Sequence, residues 1–209
     1  MVNIVKYILG PLENNTYLIE DTINKKAIVI DPSAPSRKLM DEINNNGILL
    51  EAILLTHAHF DHISGVNWLI KQVNSQPIIA LHKNDFQLWR DGGGSKEFGF
   101  SLDLGDLPNK ILDEKEELTF GEIGLSVFHT PGHTPGHVTF YLPEKKAAFC
   151  GDLIFYHGVG RTDLSYGDEE KLISSIADKI FTLPEETILY PGHGPETTVA
   201  EEIANNPFI

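Results

Sequence analysis

The run Thr56-His57-Ala58-His59-Phe60-Asp61-His62 brings three imidazoles and one carboxylate into a single short stretch of the chain. His57 and His59 follow an apolar, strand-like run at 52–55, and side chains two residues apart in an extended strand project to the same side. Imidazole nitrogens are common ligands of transition metals. The spacing therefore predicts that His57 and His59 bind one metal ion together.

The second half of this run lies where the strand pattern stops. A helical pattern of apolar residues begins at Ile63 and continues through Val66 and Leu69. Asp61 and His62 are therefore expected on a turn that can face a second ion. The whole segment indicates a site for two metals.

Length and composition limit the classes of protein to consider. The 209 residues are 41% hydrophobic and 22% charged, which is typical of one globular domain, here residues 1–209. The 16 basic and 30 acidic residues give a net charge of −14, which disfavours the many phosphate contacts of nucleic-acid binding. No apolar run approaches a membrane span. We expect a small-molecule substrate and neither a nucleic-acid nor a membrane partner.

The N-terminus and the cysteine content predict a compartment. Residues 1–9 carry one lysine and are strand-like, without the charged and long apolar regions of a signal peptide. The single cysteine, Cys150, excludes an intramolecular disulfide and suits a reducing environment. We expect a cytoplasmic protein in which Cys150 packs in a core strand.

Strand-like and helix-like patterns are mixed along the chain in two comparable halves. This predicts an α/β fold in which two sheets pack together with helices outside. Residues 91–109 form the one long irregular segment, either a flap beside the site or a surface loop. The strand-like runs are 4–9, 16–20, 27–31, 51–56, 77–81, 118–119, 125–129, 138–142, 147–150 and 187–190, and the helical ones follow Ser36 to Gly47 and lie at 63–73, 168–181 and 198–205.

Three further candidate ligands each follow a predicted strand. They are His133, Asp152 and His193, and each is preceded by glycine, which lets backbone approach a crowded centre. Imidazoles combined with carboxylates suit zinc, iron or manganese.

The order HxHxDH, then Gly-His, Gly-Asp and Gly-His after later strands resembles the metallo-β-lactamase superfamily over nearly the whole chain. The resemblance implies a four-layer αββα sandwich with two metals at the edge of its sheets. It implies two divalent ions, zinc first and iron or manganese as alternatives, with Asp61 and Asp152 as the catalytic carboxylates. The implied ligands are His57, His59 and His133 for one metal, Asp61, His62 and His193 for the other, and Asp152 as the bridge.

Within that superfamily, the segments 151–155 and 160–164 and the ending 192–208 are similar to the short bacterial glyoxalase II-like hydrolases of the YcbL type. This resemblance implies hydrolysis of a thioester by a metal-bridged hydroxide. Only 16 residues follow His193, so we expect the C-terminal helical domain of full-length glyoxalase II to be absent.

Two alternative activities share this fold. The first is a persulfide dioxygenase with a single iron, a group that tends to carry cysteine at the position of His137 and alanine at that of Gly192. Both residues of this chain favour the hydrolase. The second alternative is a lactonase or another ester hydrolase.

Three side chains are predicted to contact the substrate. Phe60 and Tyr156 would line an apolar wall, with core packing as the alternative for Tyr156. Arg161 would bind a substrate carboxylate, which its planar guanidinium suits. The alternative is that Arg161 and Asp163 hold their own loop together.

Four histidines lie outside the implied ligand set. His129 and His137 are candidates for orienting the ligands. His82 is expected at the surface or at a helix cap, and His157 on a loop that could overhang the site.

Overall fold

The computed structural model describes residues 1–209, and the first half of the chain forms one mixed sheet in the order β1-β2-β3-β4-β5-β6. Strands β1 to β3 are antiparallel, and β3 to β6 are parallel. The elements are β1 (Val2–Leu9), β2 (Asn14–Asp21), β3 (Lys26–Ile30), α1 (Arg37–Asn46), β4 (Leu49–Leu54), α2 (Phe60–Ile63), α3 (Val66–Gln72), β5 (Ile78–His82), α4 (Phe86–Arg90) and β6 (Lys110–Leu112).

The second half forms a sheet in the order β14-β13-β10-β9-β8-β7, in which only the β10–β13 pair is parallel. A two-stranded hairpin, β11 (Ile154–Phe155) and β12 (Gly158–Val159), lies outside it. The other elements are β7 (Glu117–Phe120), β8 (Ile123–His129), β9 (Val138–Leu142), β10 (Ala147–Gly151), α5 (Glu169–Ser175), β13 (Ile188–Pro191), β14 (Thr197–Thr198) and α6 (Val199–Asn205).

Successive side chains of a strand point to opposite faces of its sheet, and this alternation separates the cores between the layers. In β2, Tyr17 and Ile19 join a core shared by both sheets, where they meet residues such as Phe140 and Phe149. Leu18, between them, belongs to a second core with α1, α3 and α4. A third core joins β10 and β13 to α5 and α6. The predicted αββα sandwich is confirmed.

Helix α1 begins and ends where the sequence predicts. The Ser36 side chain accepts a hydrogen bond from the Leu39 amide, and Gly47 has a left-handed φ of 61°. Two other helices differ from the prediction. The helix expected at 63–73 is two helices, α2 and α3, separated at Ser64 and Gly65. The helix expected at 168–181 ends at Ser175 and continues as a π-helical turn at Ile176–Ile180.

The loops that carry the candidate ligands follow the C-terminal ends of strands in both sheets, namely β4, β8, β10 and β13. Strand β4 ends at Leu54, so His57 and His59 lie beyond it rather than on it. Beyond β4 the Leu55 amide still donates to the Ala80 carbonyl of β5, whereas the Thr56 amide donates to the side chain of Asp31. None of the helices combines the length and apolar character needed to cross a bilayer.

Candidate metal centre

The first cluster consists of His57, His59 and His133. Nδ1 of His59 lies 2.8 Å from Nε2 of His133, and the His57 ring lies 4.9 Å and 4.8 Å from their rings, centroid to centroid. One nitrogen from each of the three residues lies within 4.8 Å of the others. The arrangement suits one metal ion bound by three imidazoles.

The second cluster consists of Asp61, His62 and His193. Oδ2 of Asp61 lies 3.4 Å from Nε2 of His193 and 3.9 Å from Nε2 of His62. All three ligand atoms lie within 4.8 Å of one another. This set matches the second group implied by the family resemblance.

Asp152 lies between the two clusters. Its Oδ2 is 3.7 Å from Nε2 of His133 and 3.6 Å from Nε2 of His193, while its Oδ1 is 3.2 Å from Nε2 of His62. One carboxylate thus faces ligands from both groups. This is the position that the predicted bridging role requires.

Asp31 and Thr56, which are both buried, orient the rings of His57 and His62 by hydrogen bonds. Asp31 accepts hydrogen bonds from Nδ1 of His62 at 3.0 Å and from the Thr56 hydroxyl at 2.6 Å. Because this hydroxyl donates to Asp31, it accepts from Nδ1 of His57, 3.0 Å away. Both rings therefore carry a proton on Nδ1 and turn Nε2 toward the centre.

Backbone carbonyls orient two other imidazoles. Nδ1 of His133 donates to the carbonyl of Arg161 at 2.8 Å, and Nδ1 of His193 donates to the carbonyl of Leu12 at 3.0 Å. A carbonyl oxygen only accepts, so Nε2 of each ring is the free acceptor. Arg161 therefore supports a candidate ligand through its backbone.

Three buried atoms at the centre make no hydrogen bond: Nε2 of His57, Nε2 of His62 and Oδ1 of Asp152. The last two lie 3.2 Å apart but lack hydrogen-bond alignment. Leaving buried polar atoms without partners is costly, so they indicate a partner of another kind. Neutral nitrogens and a carboxylate facing one space are the donors that a divalent cation needs, and the residues therefore fit two metal ions.

The charge states of His57 and Asp152 agree with this fit. Burial and the neighbouring imidazoles hold the pKa of His57 well below its usual range, so the ring is neutral, as metal binding requires. Burial raises the pKa of Asp152, but His62, His133 and His193 outweigh it and hold that pKa well below its ordinary value. Asp152 is therefore an ionised carboxylate. His62 differs: burial lowers its pKa, but Asp152 and Asp61 outweigh burial and raise this pKa well above its usual range, so a bound metal has to displace a proton from the ring.

Asp85 connects the two ligand loops and was not anticipated from the sequence. Its Oδ2 accepts from the Ala58 amide at 3.0 Å and from the Thr134 hydroxyl at 2.8 Å, and its Oδ1 accepts from the Gly136 amide at 2.6 Å. Burial raises the pKa of Asp85 to about 6 against these hydrogen bonds, which leaves it ionised at neutral pH. The carboxylate thus fixes the His57–His59 loop against the His133 loop.

Asp85→Ala is expected to lower both metal affinity and stability. It leaves two buried amides and a hydroxyl without an acceptor, and each such loss costs about 1–3 kcal/mol. We expect a drop of about 3 kcal/mol or more in the free energy of unfolding, and a metal affinity lower by about 10–100-fold. Urea denaturation and metal titration measure these. Asp41→Ala, at an exposed position of α1, is the control, and equal values in both variants would contradict the assignment.

Asn14 is a second residue that the sequence did not reveal. Its buried amide nitrogen donates to Oδ2 of Asp61 at 3.0 Å and lies 3.2 Å from Nε2 of His193. Of the residues that support the ligands, only Asp31 had a signal in the sequence. It directly follows β3, which is parallel to β4, and therefore lies at the edge of the sheet from which the His57 loop leaves. Asn14 and Asp85 lie in ordinary polar surroundings in the sequence.

A cavity of about 410 Å³ opens onto the centre. Phe60 and Arg161, two of the predicted substrate contacts, line it. Residues 91–109 contribute Gly93, Gly94, Glu97 and Phe98, so this segment does border the site. The remaining lining residues are Leu12, His59, Asp61, Leu88, His133, Asp152, Leu164, Ser165 and His193.

Tyr156, the third predicted contact, does not line the cavity, and the guanidinium of Arg161 already has a partner. Tyr156 is absent from the cavity lining and from the core, since it is 50% exposed and stacks on His157 at 4.0 Å. Nε and Nη2 of Arg161 donate to the two oxygens of Asp163 at 2.7 and 2.8 Å. The side chain therefore holds its own loop, as the alternative interpretation stated.

The four remaining histidines have distinct surroundings. His137 is buried beside His57, with ring centroids 5.3 Å apart, and its Nδ1 lies 2.9 Å from the Thr130 hydroxyl.

His82 accepts a hydrogen bond from the Asn84 amide as a helix cap, but it is buried rather than at the surface. It stacks on His129, which donates to the Pro135 carbonyl. His157 pairs with Glu201 and does not line the cavity.

The sequence model of the metallo-beta-lactamase superfamily matches residues 9–193, and the chain belongs to this superfamily. Membership and the clustered histidines and aspartates that could hold metal together define a metallohydrolase. The resemblance inferred from the motifs is confirmed.

Three similar proteins illustrate the range of this group. The hydroxyacylglutathione hydrolase GloC of Haemophilus influenzae is 37% identical, with 94% of this chain and 93% of GloC covered. The crystal structure of BLEG-1 B3 metallo-beta-lactamase is 36% identical, with a TM-score of 0.92 and 99% of both chains covered. The structure of TTHA1623 in a di-iron-bound form is 38% identical, with a TM-score of 0.87 and 98% and 100% covered.

Proposed function

We propose that this protein hydrolyses thioesters at a centre of two divalent metal ions, with hydroxyacyl thioesters of the glyoxalase II type as the first substrates to test. The observation that carries the proposal is the position of Asp152, which faces imidazoles of both clusters on the floor of an open cavity. The similarity to a hydroxyacylglutathione hydrolase supports the choice of a thioester.

The candidate ligands are His57, His59 and His133 for one ion and Asp61, His62 and His193 for the other, with Asp152 shared. When bound, such ions activate water at neutral pH and polarise a carbonyl oxygen. We propose zinc as the metal, and the di-iron form of a similar structure makes iron the first alternative.

The protein's own contribution is to hold and orient this donor set. Asp31 keeps the His62 ring in one tautomer, and the Asn14 amide fixes Oδ2 of Asp61 by donating to it. His62 and His193 also hold the pKa of Asp61 below its usual range against the effect of burial, so this carboxylate stays ionised. A preorganised set of ligands needs no rearrangement during the reaction.

Elemental analysis of the purified protein, combined with a thioester assay on the same sample, tests the proposal. We expect about two metal ions per chain and hydrolysis of S-lactoylglutathione that a chelator abolishes. The persulfide dioxygenase alternative predicts a different result, namely about one iron per chain and oxygen consumption with glutathione persulfide. That outcome, without hydrolysis, would overturn the proposal.

Asp61→Ala is expected to remove chiefly the second metal. Asp61 contacts only atoms of the second cluster and Asn14, whereas the three imidazoles of the first cluster remain. Metal content should fall from about two ions to about one, and kcat by at least about tenfold. Metal analysis and steady-state kinetics measure both values. Retention of both ions with a normal rate would show that the division of ligands is wrong.

A further inference from the structure

Three phenylalanines form an aromatic wall beside the metal centre. Phe60, between the candidate ligands His59 and Asp61, packs against Phe98 and Phe100, with ring centroids 5.0 and 5.2 Å apart. Phe98 is 54% exposed and lines the cavity. Exposed aromatic surface next to a reaction centre is available for contact with an apolar group of a substrate.

The wall is fixed in position by the backbone. The Phe60 amide donates to the Gly93 carbonyl at 2.9 Å, which joins the metal-ligand loop to the segment that carries Phe98. Gly93 has a φ of +67°, and a Cβ there would lie 2.5 Å from the Phe60 nitrogen. Only glycine permits this approach, so the aromatic wall is built together with the metal site.

No lysine or arginine side chain around the cavity is free to bind a carboxylate. Arg161 is the only lysine or arginine among the lining residues, and both of its outward hydrogen bonds go to Asp163. Glu97 adds a negative charge at the rim, beside Ser165. The thiol part of a glutathione thioester carries two carboxylates, which bind tightly only where cationic partners are available.

We infer that the site selects thioesters whose thiol portion is apolar and uncharged near the scissile bond, and that Phe98 supplies this selectivity. The inference rests on the proposed thioester hydrolysis. Apolar contact with a half-exposed ring releases water from both surfaces, and the lining offers no lysine or arginine without a carboxylate partner to offset the two carboxylates. Glutathione is therefore a tolerated leaving group but not the recognised one.

Two thioesters that share one acyl group test this. With the metal-loaded enzyme, kcat/KM for the lactoyl thioester of N-acetylcysteamine should exceed that for S-lactoylglutathione by about tenfold. Phe98→Ala should abolish this preference by raising KM for the uncharged substrate about tenfold. Phe208→Ala is the matched control, because Phe208 is 60% exposed and absent from the cavity lining.

The outcomes separate the two proposals. A higher kcat/KM for S-lactoylglutathione, lost in Arg161→Ala, would overturn the inference and leave thioester hydrolysis standing. An unchanged preference in Phe98→Ala, with the variant folded by circular dichroism, would remove Phe98 as its source and also overturn the inference. Hydrolysis of neither thioester by the metal-loaded enzyme would overturn the proposed function and the inference together.

Discussion

Asp152→Ala is expected to abolish turnover and to lower the metal content while leaving the fold largely intact. Asp152 lines the cavity and faces imidazoles of both clusters. Loss of residues that only orient ligands typically costs about 10–100-fold, so loss of the shared ligand should lower kcat by more than about 100-fold.

The fold should survive because Oδ1 of Asp152 has no hydrogen-bond partner and its Oδ2 lies 3.7 and 3.6 Å from imidazole nitrogens, so its removal leaves no backbone group without a partner. Metal analysis, kinetics and thermal denaturation of the variant measure the three effects. Asp41→Ala, at an exposed position, should leave all of them unchanged. Full activity with an unchanged metal stoichiometry in Asp152→Ala would show that the site has been assigned wrongly.

Gly192→Ala is expected to have an effect of similar size from a single methyl group. A Cβ at this position would lie 2.2 Å from Oδ1 of Asp152 and 2.6 Å from Cε1 of His62. The backbone cannot withdraw, because the Gly192 amide donates to the Gly151 carbonyl and its carbonyl accepts from the Asn15 amide, both at 2.7 Å. The Asp152 carboxylate would have to rotate away from one cluster.

We therefore expect the Gly192→Ala protein to bind about one metal ion and to lose more than about 100-fold in kcat. Gly124→Ala is a suitable control, because a Cβ there meets nothing within 4 Å. Alanine at the position of Gly192 is also what the persulfide dioxygenase alternative, with its single iron, would lead one to expect. Two ions and a normal rate in Gly192→Ala would refute the steric account.

Much of the architecture was predictable from local patterns. Apolar runs placed the principal strands, and Ser36 and Gly47 gave the limits of α1. The predictions failed where a distant contact overrides the pattern. The helix expected at 63–73 breaks near Gly65, whose amide donates to the distant Pro32 carbonyl at 2.8 Å instead of to its own helix. Similarly, the strand expected to reach Thr56 ends at Leu54, and the Thr56 amide donates to the side chain of Asp31.

The predicted substrate contacts also show what the local sequence can predict and what it cannot. Phe60 was predicted at the cavity because it lies between candidate ligands, and the structure places it there. Tyr156 was predicted on the same grounds of proximity in sequence, but the β11–β12 hairpin turns it outward onto His157. Which way a loop directs a side chain depends on what the loop packs against, and the local sequence does not record this.

The sequence by itself determined the superfamily and the candidate metal ligands, because ligand types, their order and the glycines beside them are properties of short segments. Tertiary structure alone decided how those segments are held together. Asp31 contacts His62 across 31 residues, Asp85 contacts Gly136 across 51, and Asn14 contacts His193 across 179. Hydrogen bonds at such separations form only after the two sheets have packed, since packing brings their loop edges together.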